Sequence, residues 1–181
     1  MSGEILFRSA TLADVTALSE LGRDSFIAKF GHLYRQEDLL PFLADTFSET
    51  AIGREIADPE RLYHLAEQDA RLVGYCKLGI PSTLPKHTDA VAPIEIKQLY
   101  TASDMTGQGI GAKLMDWALA EARARAADEI QLSVWSGNHD GQRFYARYGF
   151  CKVADIHFRV GEQLDDEFLF VLGLRNQFRQ G

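Results

Sequence analysis

Apolar and polar residues alternate with two different periods along this chain, and the two periods predict a mixture of strands and helices. Ile130, Leu132 and Val134 alternate with polar neighbours, which is the two-residue period of a strand with one buried face. Apolar positions at helical spacing follow Thr11, a candidate N-cap, and recur over residues 109–127. The second of these stretches is apolar almost all round, so we expect it to form a buried helix.

The same patterns and the turn signals between them give an order of elements for the whole chain. Strands are predicted at residues 5–9, 61–67, 72–80, 93–101, 129–134, 150–160 and 165–172, and helices at 11–30, 37–47, 49–58, 109–127 and 138–148. The order β-ααα-ββ-β-α-β-α-ββ mixes hairpins with crossover helices, so we expect an α/β fold with a mixed sheet. The polar stretch 81–93 is interpreted as a loop rather than a linker, which makes residues 1–181 a single domain.

Composition and charge narrow the class of protein. The chain has 181 residues, of which 46% are hydrophobic, and 26 acidic against 19 basic residues give a net charge of −7. An acidic balance argues against binding to nucleic acid or to anionic lipid. No apolar run approaches the roughly 20 residues of a membrane span, and the N-terminus lacks a secretory signal, so we expect a cytoplasmic protein. Cys76 and Cys151 are expected to be buried, reduced thiols, and no metal site is predicted.

A glycine-rich loop is the first feature that points to chemistry. Gly107, Gly109 and Gly111 alternate between a predicted strand and a predicted helix. Backbone N–H groups of such a loop and of the helix N-terminus form an anion site suited to phosphate. Lys113 is not followed by Ser or Thr, as a P-loop would require, and the glycine spacing differs from that of a dinucleotide fold. A loop without any ligand is the alternative.

A second motif indicates which ligand the glycine loop binds. Residues 138–150, Asn-His-Asp-Gly-Gln-Arg-Phe-Tyr-Ala-Arg-Tyr-Gly-Phe, and the glycine loop at residues 106–111 together resemble the two hallmarks of the GNAT superfamily of acyl-CoA-dependent N-acetyltransferases. Thr106 replaces the usual Gln or Arg, and Gly141 replaces the usual Ala. The resemblance implies a three-layer αβα fold with acetyl-CoA as co-substrate and no metal. A weaker resemblance points to bacterial polyamine acetyltransferases of the PaiA type.

The resemblance also implies roles for individual residues. Tyr145 matches the tyrosine that protonates the departing thiolate, and Glu95 is the candidate base that takes a proton from the amine, acting through water. An ion pair with Lys97 is the alternative for Glu95. The predicted cofactor-binding residues lie on one strand, on the glycine loop and on one later helix. They are Leu99, Tyr100, Thr101, Thr106, Gly107, Gln108, Gly109, Ile110, Gly111, Ala112, Asn138 and Tyr145, with Lys113 as a nearby cation.

The resemblance places the acceptor pocket between the N-terminal helices and the last strands. Its candidate residues are Phe26, Phe30, Tyr34 and Phe158, with His64 and His157 as further candidates and Glu162, Asp165, Asp166 and Glu167 as an acidic cluster that either attracts a polycation or forms a solvated turn. The expected acceptor is a primary amine of a small polyamine such as spermidine. Acetylation of a protein lysine or N-terminus, and a regulatory acyl-CoA-binding module without activity, are the alternatives. A homodimer would be consistent with the family.

Overall fold

The order of elements in the computed structural model, which describes residues 3–174, is the order that the sequence predicts. The strands are β1 (Leu6–Ser9), β2 (Arg61–Gln68), β3 (Arg71–Gly79), β4 (Pro93–Thr101), β5 (Glu129–Trp135), β6 (Cys151–Val160) and β7 (Gln163–Gly173). The helices are α1 (Val15–Phe30), α2 (Gln36–Phe47), α3 (Glu49–Ala57), α4 (Ile110–Ala124) and α5 (His139–Arg147). Ser48 caps α3, because its Oγ accepts a hydrogen bond from the N–H of Ala51 at 3.2 Å.

The strands form one mixed sheet in the order β1-β2-β3-β4-β5-β7-β6. Among the strands of residues 3–174, only β4 and β5 run parallel, which confirms the predicted mixture of hairpins and a crossover. These two strands pair over Pro93–Ile96 and Glu129–Leu132 and then diverge. A bulge in β4 comes next, since Ile96 pairs with Leu78 and Gln98 with Lys77, which leaves Lys97 as the extra residue. The divergence opens a gap in the middle of the sheet.

Helices cover both faces of the sheet, which gives the three layers that the resemblance implies. On one face, α4 packs Leu114 and Met115 against Cys76 of β3, within a large apolar cluster. On the other face, α1 packs Leu18 against Leu65 and neighbouring aromatic residues. Alternate residues of each strand belong to opposite faces. No helix of the described residues is long and apolar enough to cross a membrane.

The two cysteines differ in their surroundings, which corrects one expectation. Cys76 is fully buried, and burial raises the pKa of its thiol. Cys151, by contrast, is exposed. It begins β6, the edge strand of the sheet, and the apolar cluster beneath that strand forms around its far end, at Phe158 and Val160. An apolar-looking run therefore does not ensure burial on an edge strand.

Candidate active site

The glycine loop adopts the conformation that its sequence predicts. Gly107 and Gly109 both have φ near +78°, a left-handed conformation that other residues adopt only with strain, and α4 begins directly after Gly109. A Cβ added at either glycine would meet nothing within 4 Å, so the need for glycine is conformational rather than steric. The loop therefore presents the first N–H groups of a 15-residue helix to the adjacent space.

A cavity of about 1010 Å³, here called the loop cavity, lies between this loop and α5. Ten predicted cofactor-binding residues lie on its wall: Leu99, Thr101, Thr106, Gly107, Gly109, Ile110, Gly111, Ala112, Asn138 and Tyr145. The other two are placed elsewhere. The Gln108 side chain turns back to the Met105 sulfur at 3.5 Å. Tyr100 follows Leu99 on β4, and strand alternation sends its ring to the opposite face of the sheet.

Cations line the loop cavity at positions that the sequence analysis did not single out. Arg143 and Arg147 of α5 and Lys29 of α1 lie on its wall, and Arg143 forms an ion pair with Asp140 of the same wall. Lys113 is exposed on α4 outside the wall. The arginines belong to the second motif, but the motif does not specify them. Only the packing of α5 against the loop shows which face of that helix meets the cavity.

A second cavity, of about 340 Å³, lies on the α1 face of the sheet and is here called the sheet cavity. The four predicted acceptor-pocket residues Phe26, Phe30, Tyr34 and Phe158 all lie on its wall, together with His157. Its floor consists of residues from β4, β5 and β7. His64 is not part of this cavity, because it faces α4 and stacks on Trp117 with ring centroids 4.6 Å apart.

The two cavities share the residues that surround the gap between β4 and β5. The shared residues are Lys29, Phe30, Leu99, Trp135, Asn138 and Tyr145. Beyond Ile96, the described part of the chain supplies no strand partner on the β5 side of β4. Backbone groups of residues 97–101 on that side are therefore open to a ligand, which would continue the sheet.

Tyr145 stands at this junction and is held there by aromatic neighbours. Its ring packs edge-on against Phe144 and Phe150, with centroids 5.3 and 5.9 Å away. Burial raises the pKa of the Tyr145 phenol, and the nearby Cys76 thiol adds to the effect. The hydroxyl therefore keeps its proton at neutral pH and is able to donate it.

Asn138 both caps α5 and lines the two cavities. Its Oδ1 accepts a hydrogen bond from the N–H of Gly141 at 3.0 Å, which caps α5. The same residue lies on the wall of both cavities. The cap fixes the start of α5 and, with it, the placement of Tyr145 two turns later.

Glu95 lies on the wall of the sheet cavity and is only 7% exposed. One of its oxygens, Oε2, accepts three hydrogen bonds: from the Thr83 N–H at 3.0 Å, the Thr83 hydroxyl at 2.9 Å and the Lys97 ammonium at 3.1 Å. The ion pair with Lys97 that the sequence left open is therefore present. The hydrogen bonds from Thr83 connect the loop after β3 to the floor of the cavity.

The acidic cluster is divided by strand alternation. Asp165 is buried and accepts a hydrogen bond from the Tyr34 hydroxyl, and Glu167 lies on the wall of the sheet cavity. Asp166, between them, is exposed and pairs with His157 at 3.3 Å. Burial raises the pKa of Glu167 to about 7, and the negative charge of Asp165 adds to the rise. From the sequence Glu167 was named only as one member of the acidic cluster, although strand alternation distinguishes it from Asp166.

Among residues 3–174, no group of three or more histidine, cysteine or acidic side chains is arranged to hold a metal ion. The groups at this site that could take part in proton transfer are Tyr145 at the junction and two carboxylates, Glu95 and Glu167, in the sheet cavity. A phenol that keeps its proton is suited to donate it, and a carboxylate is suited to bind a cation or accept a proton.

Comparisons with known proteins identify the family and the fold of this chain. The sequence pattern of the acetyltransferase (GNAT) family matches residues 20–150. An uncharacterized N-acetyltransferase of Lactobacillus delbrueckii subsp. lactis is 27% identical over 156 residues, covering 86% of this chain and 90% of that protein. The aminoalkylphosphonate N-acetyltransferase of Salmonella typhimurium is 34% identical over 109 residues, covering 60% and 67%.

A spermidine N(1)-acetyltransferase of Thermoplasma acidophilum is 26% identical over 159 residues, covering 86% of this chain and 91% of that protein. Among solved structures, the PaiA N-acetyltransferase of T. acidophilum in complex with coenzyme A superposes with a TM-score of 0.74 at 20% identity, covering 94% of this chain and 99% of that one. At this identity the superposition shows that the fold is shared. The family match, which spans well over half of the sequence, shows that the chain belongs to the acetyltransferase (GNAT) family and is an N-acetyltransferase.

Proposed function

We propose that this chain is a single-domain enzyme that transfers an acetyl group from acetyl-CoA to a primary amine, by direct attack in a ternary complex. The observation that carries the proposal is the meeting of the loop cavity and the sheet cavity at Tyr145. One cavity offers backbone N–H groups and arginines, which suit phosphates. The other offers carboxylates, which suit an ammonium group. Their junction is where the two substrates would react.

The residues of the loop cavity fit an acyl-CoA. Residues 107–111 and the start of α4 would hold the pyrophosphate, and Arg143 and Arg147 add positive charge nearby. The open backbone of Leu99–Thr101 would pair with the amides of the pantetheine arm. Bound in this way, acetyl-CoA supplies the acetyl group and a thiol leaving group.

Tyr145 is the proposed general acid. It keeps its proton at neutral pH because burial raises the pKa of its phenol, and it lies where the cavities meet. Its proposed task is to protonate the sulfur as the bond between carbon and sulfur breaks. For Glu95 the role of base stays a prediction, since three hydrogen bonds already occupy its Oε2.

The preferred acceptor is a small polyamine. Two carboxylates, Glu95 and Glu167, lie on the wall of the sheet cavity, and aromatic side chains of α1 and β6 line its other walls. Carboxylates pair with ammonium groups, and apolar walls fit the methylene segments between them. The relative named as a spermidine N(1)-acetyltransferase supports this choice.

An aminoalkylphosphonate is a second candidate, and Lys29 favours it. The Lys29 ammonium lies 5.5 Å from the centre of the Tyr100 ring, and the side chain lines both cavities. Burial in the cleft lowers its pKa. A cation there would attract the phosphonate of a zwitterionic acceptor and repel a second ammonium group. The relative named as an aminoalkylphosphonate N-acetyltransferase points the same way.

A thiol-release assay with acetyl-CoA separates these candidates. We expect turnover with spermidine and spermine, and lower kcat/KM with aminoalkylphosphonates and lysine peptides. Higher kcat/KM with an aminoalkylphosphonate would replace the polyamine, and a preference for peptides would assign protein acetylation. Tight coenzyme A binding without thiol release from any amine would identify a regulatory acyl-CoA-binding module instead.

A further inference from the structure

Glu167 is a carboxylate in the sheet cavity to which no other side chain among residues 3–174 offers a hydrogen bond or an ion pair. It lies on β7, paired with Trp135 of β5 on one side and Ile156 of β6 on the other. Its neighbours two positions along that strand, Asp165 and Leu169, are buried. The strand therefore directs Glu167 onto the cavity wall, close to the junction residue Trp135.

Glu95, the other carboxylate of the sheet cavity, already has hydrogen-bonding and ion-pair partners. Protonation of Glu95 at Oε2 would disrupt hydrogen bonds from Thr83 and the ion pair with Lys97. Glu167 has no such bonds to lose. A carboxylate that is desolvated and unpaired gains more from taking up a proton or a cationic ligand than one that is already neutralised.

We propose that Glu167 is the catalytic residue that binds the ammonium group of the acceptor and takes its proton, an assignment that rests on the proposed acetyl transfer. The ammonium gives one proton to a Glu167 carboxylate oxygen and becomes a neutral amine. The amine nitrogen then forms a bond to the acyl carbon, while the bond from that carbon to sulfur breaks and Tyr145 protonates the sulfur. The second proton of the nitrogen restores the Tyr145 phenol, and Glu167 releases its proton to solvent.

Several charged and titratable groups from the surrounding elements face the same cavity. They are Lys29 of α1, Tyr34 after α1, Glu95, Lys97 and Tyr100 of β4, Tyr145 of α5 and His157 of β6. Asp165 of β7 is buried and accepts a hydrogen bond from Tyr34. Lys97 is paired with Glu95, and His157 with Asp166. Lys29 is the remaining cation, and its ammonium lies over the Tyr100 ring. The described residues thus leave Glu167 available to an incoming ammonium.

The pKa of Glu167, about 7, suits this task. A base is most effective when its pKa lies near the working pH, because it is then largely ionised and still holds a proton well. The acidic limb of kcat/KM in the free enzyme should therefore have its inflection near pH 7. Below that pH, protonated Glu167 neither binds the ammonium nor accepts its proton.

The test compares wild type, Glu167→Gln, Glu167→Asp and the control Asp155→Asn. Asp155 is an exposed carboxylate on β6 that lies outside both cavities. We expect Glu167→Gln to lower kcat/KM for the amine by about 10²-fold or more, in the range of general-base effects, and to remove the acidic limb. Its affinity for coenzyme A, measured by calorimetry, should stay within about twofold of wild type, because Glu167 is not part of the wall of the loop cavity. Glu167→Asp should recover part of the activity.

Three outcomes would overturn the assignment in different ways. Wild-type turnover with an unchanged acidic limb in Glu167→Gln would refute the role of Glu167 and leave the proposed function intact. A loss of coenzyme A affinity well beyond twofold in Glu167→Gln would indicate that Glu167 has a structural role. Absence of thiol release from wild type with every amine would refute the proposed function, and the role with it.

Thermal unfolding gives a readout that does not depend on activity. A carboxylate with a raised pKa destabilises the folded state where it is ionised, above pH 7, and this penalty disappears as the pH falls toward its ordinary value near 4.5. Glu167→Gln should therefore unfold about 2–4 °C above wild type at pH 8, and the difference should shrink below pH 7 and approach zero below about pH 4.5. Equal unfolding temperatures at pH 8 would contradict the desolvated placement of Glu167.

Discussion

The loop cavity and the sheet cavity are built in opposite ways. The loop cavity is formed mainly by two short segments, residues 105–112 and 137–147. The groups that would donate hydrogen bonds to an anion there are mainly backbone N–H groups. The sheet cavity takes side chains from α1, the loop after β3, and strands β4 to β7. A backbone site of this kind depends on a few local conformations, whereas a side-chain site depends on how distant elements pack. Under the proposed function, binding of the cofactor and selection of the acceptor would depend on different parts of the fold.

Among single replacements at Tyr145, Gly109 and Glu95, Tyr145→Phe should have the largest effect on kcat, because Tyr145 belongs to both cavities. We expect kcat to fall at least about tenfold, as for the loss of a general acid, while both substrates still bind. Tyr148→Phe is the matched control. Its hydroxyl donates to the Ala112 carbonyl at 3.4 Å, and the residue lies outside both walls. An unchanged kcat in Tyr145→Phe would remove Tyr145 from the mechanism.

Replacing Gly109 with Ala should affect the loop cavity alone. The added methyl group meets nothing within 4 Å, so the left-handed φ is the cause of any effect. A cost of about 1–2 kcal/mol for that conformation corresponds to a loss of coenzyme A affinity of about 5- to 30-fold. Gly173→Ala is the control, since Gly173 has open space and no positive φ. A changed KM for the amine would show that the cavities are not independent.

Replacing Glu95 with Gln should have the smallest effect on catalysis and should concern the sheet cavity. The amide oxygen still accepts from Thr83, but the ion pair with Lys97 is lost. We expect kcat to change less than about fivefold, because no proton transfer is removed. Measured beside Glu167→Gln, the pH profile decides between the two carboxylates. Loss of the acidic limb in Glu95→Gln alone would assign the base to Glu95.

The sequence was most informative where a local conformation or a period determines the structure. The order of strands and helices and the glycine loop both depend on neighbours within a few residues. Cys151 shows the limit of that reasoning. A strand pattern identifies the strand, but only the order of strands in the sheet shows that β6 lies at its edge.

The candidate carboxylates show the same limit at the site. Glu95 was singled out from its position ahead of the glycine loop, and the structure adds the Lys97 and Thr83 contacts that occupy one of its oxygens. Glu167 was hidden among acidic neighbours. Its importance depends on the pairing of β7 with β5 and β6, which places it on the wall of a cavity shared with α1.

By itself the sequence determined the family, the element order and the backbone of the anion site, because glycine positions and short motifs act locally. The tertiary structure decided that β4 and β5 diverge, that the two cavities meet at Tyr145, and which carboxylate remains unpaired. Those features arise from contacts between residues far apart in the chain, such as Tyr34 with Asp165. Such contacts depend on how whole helices and strands pack together, and a local sequence pattern does not predict that packing.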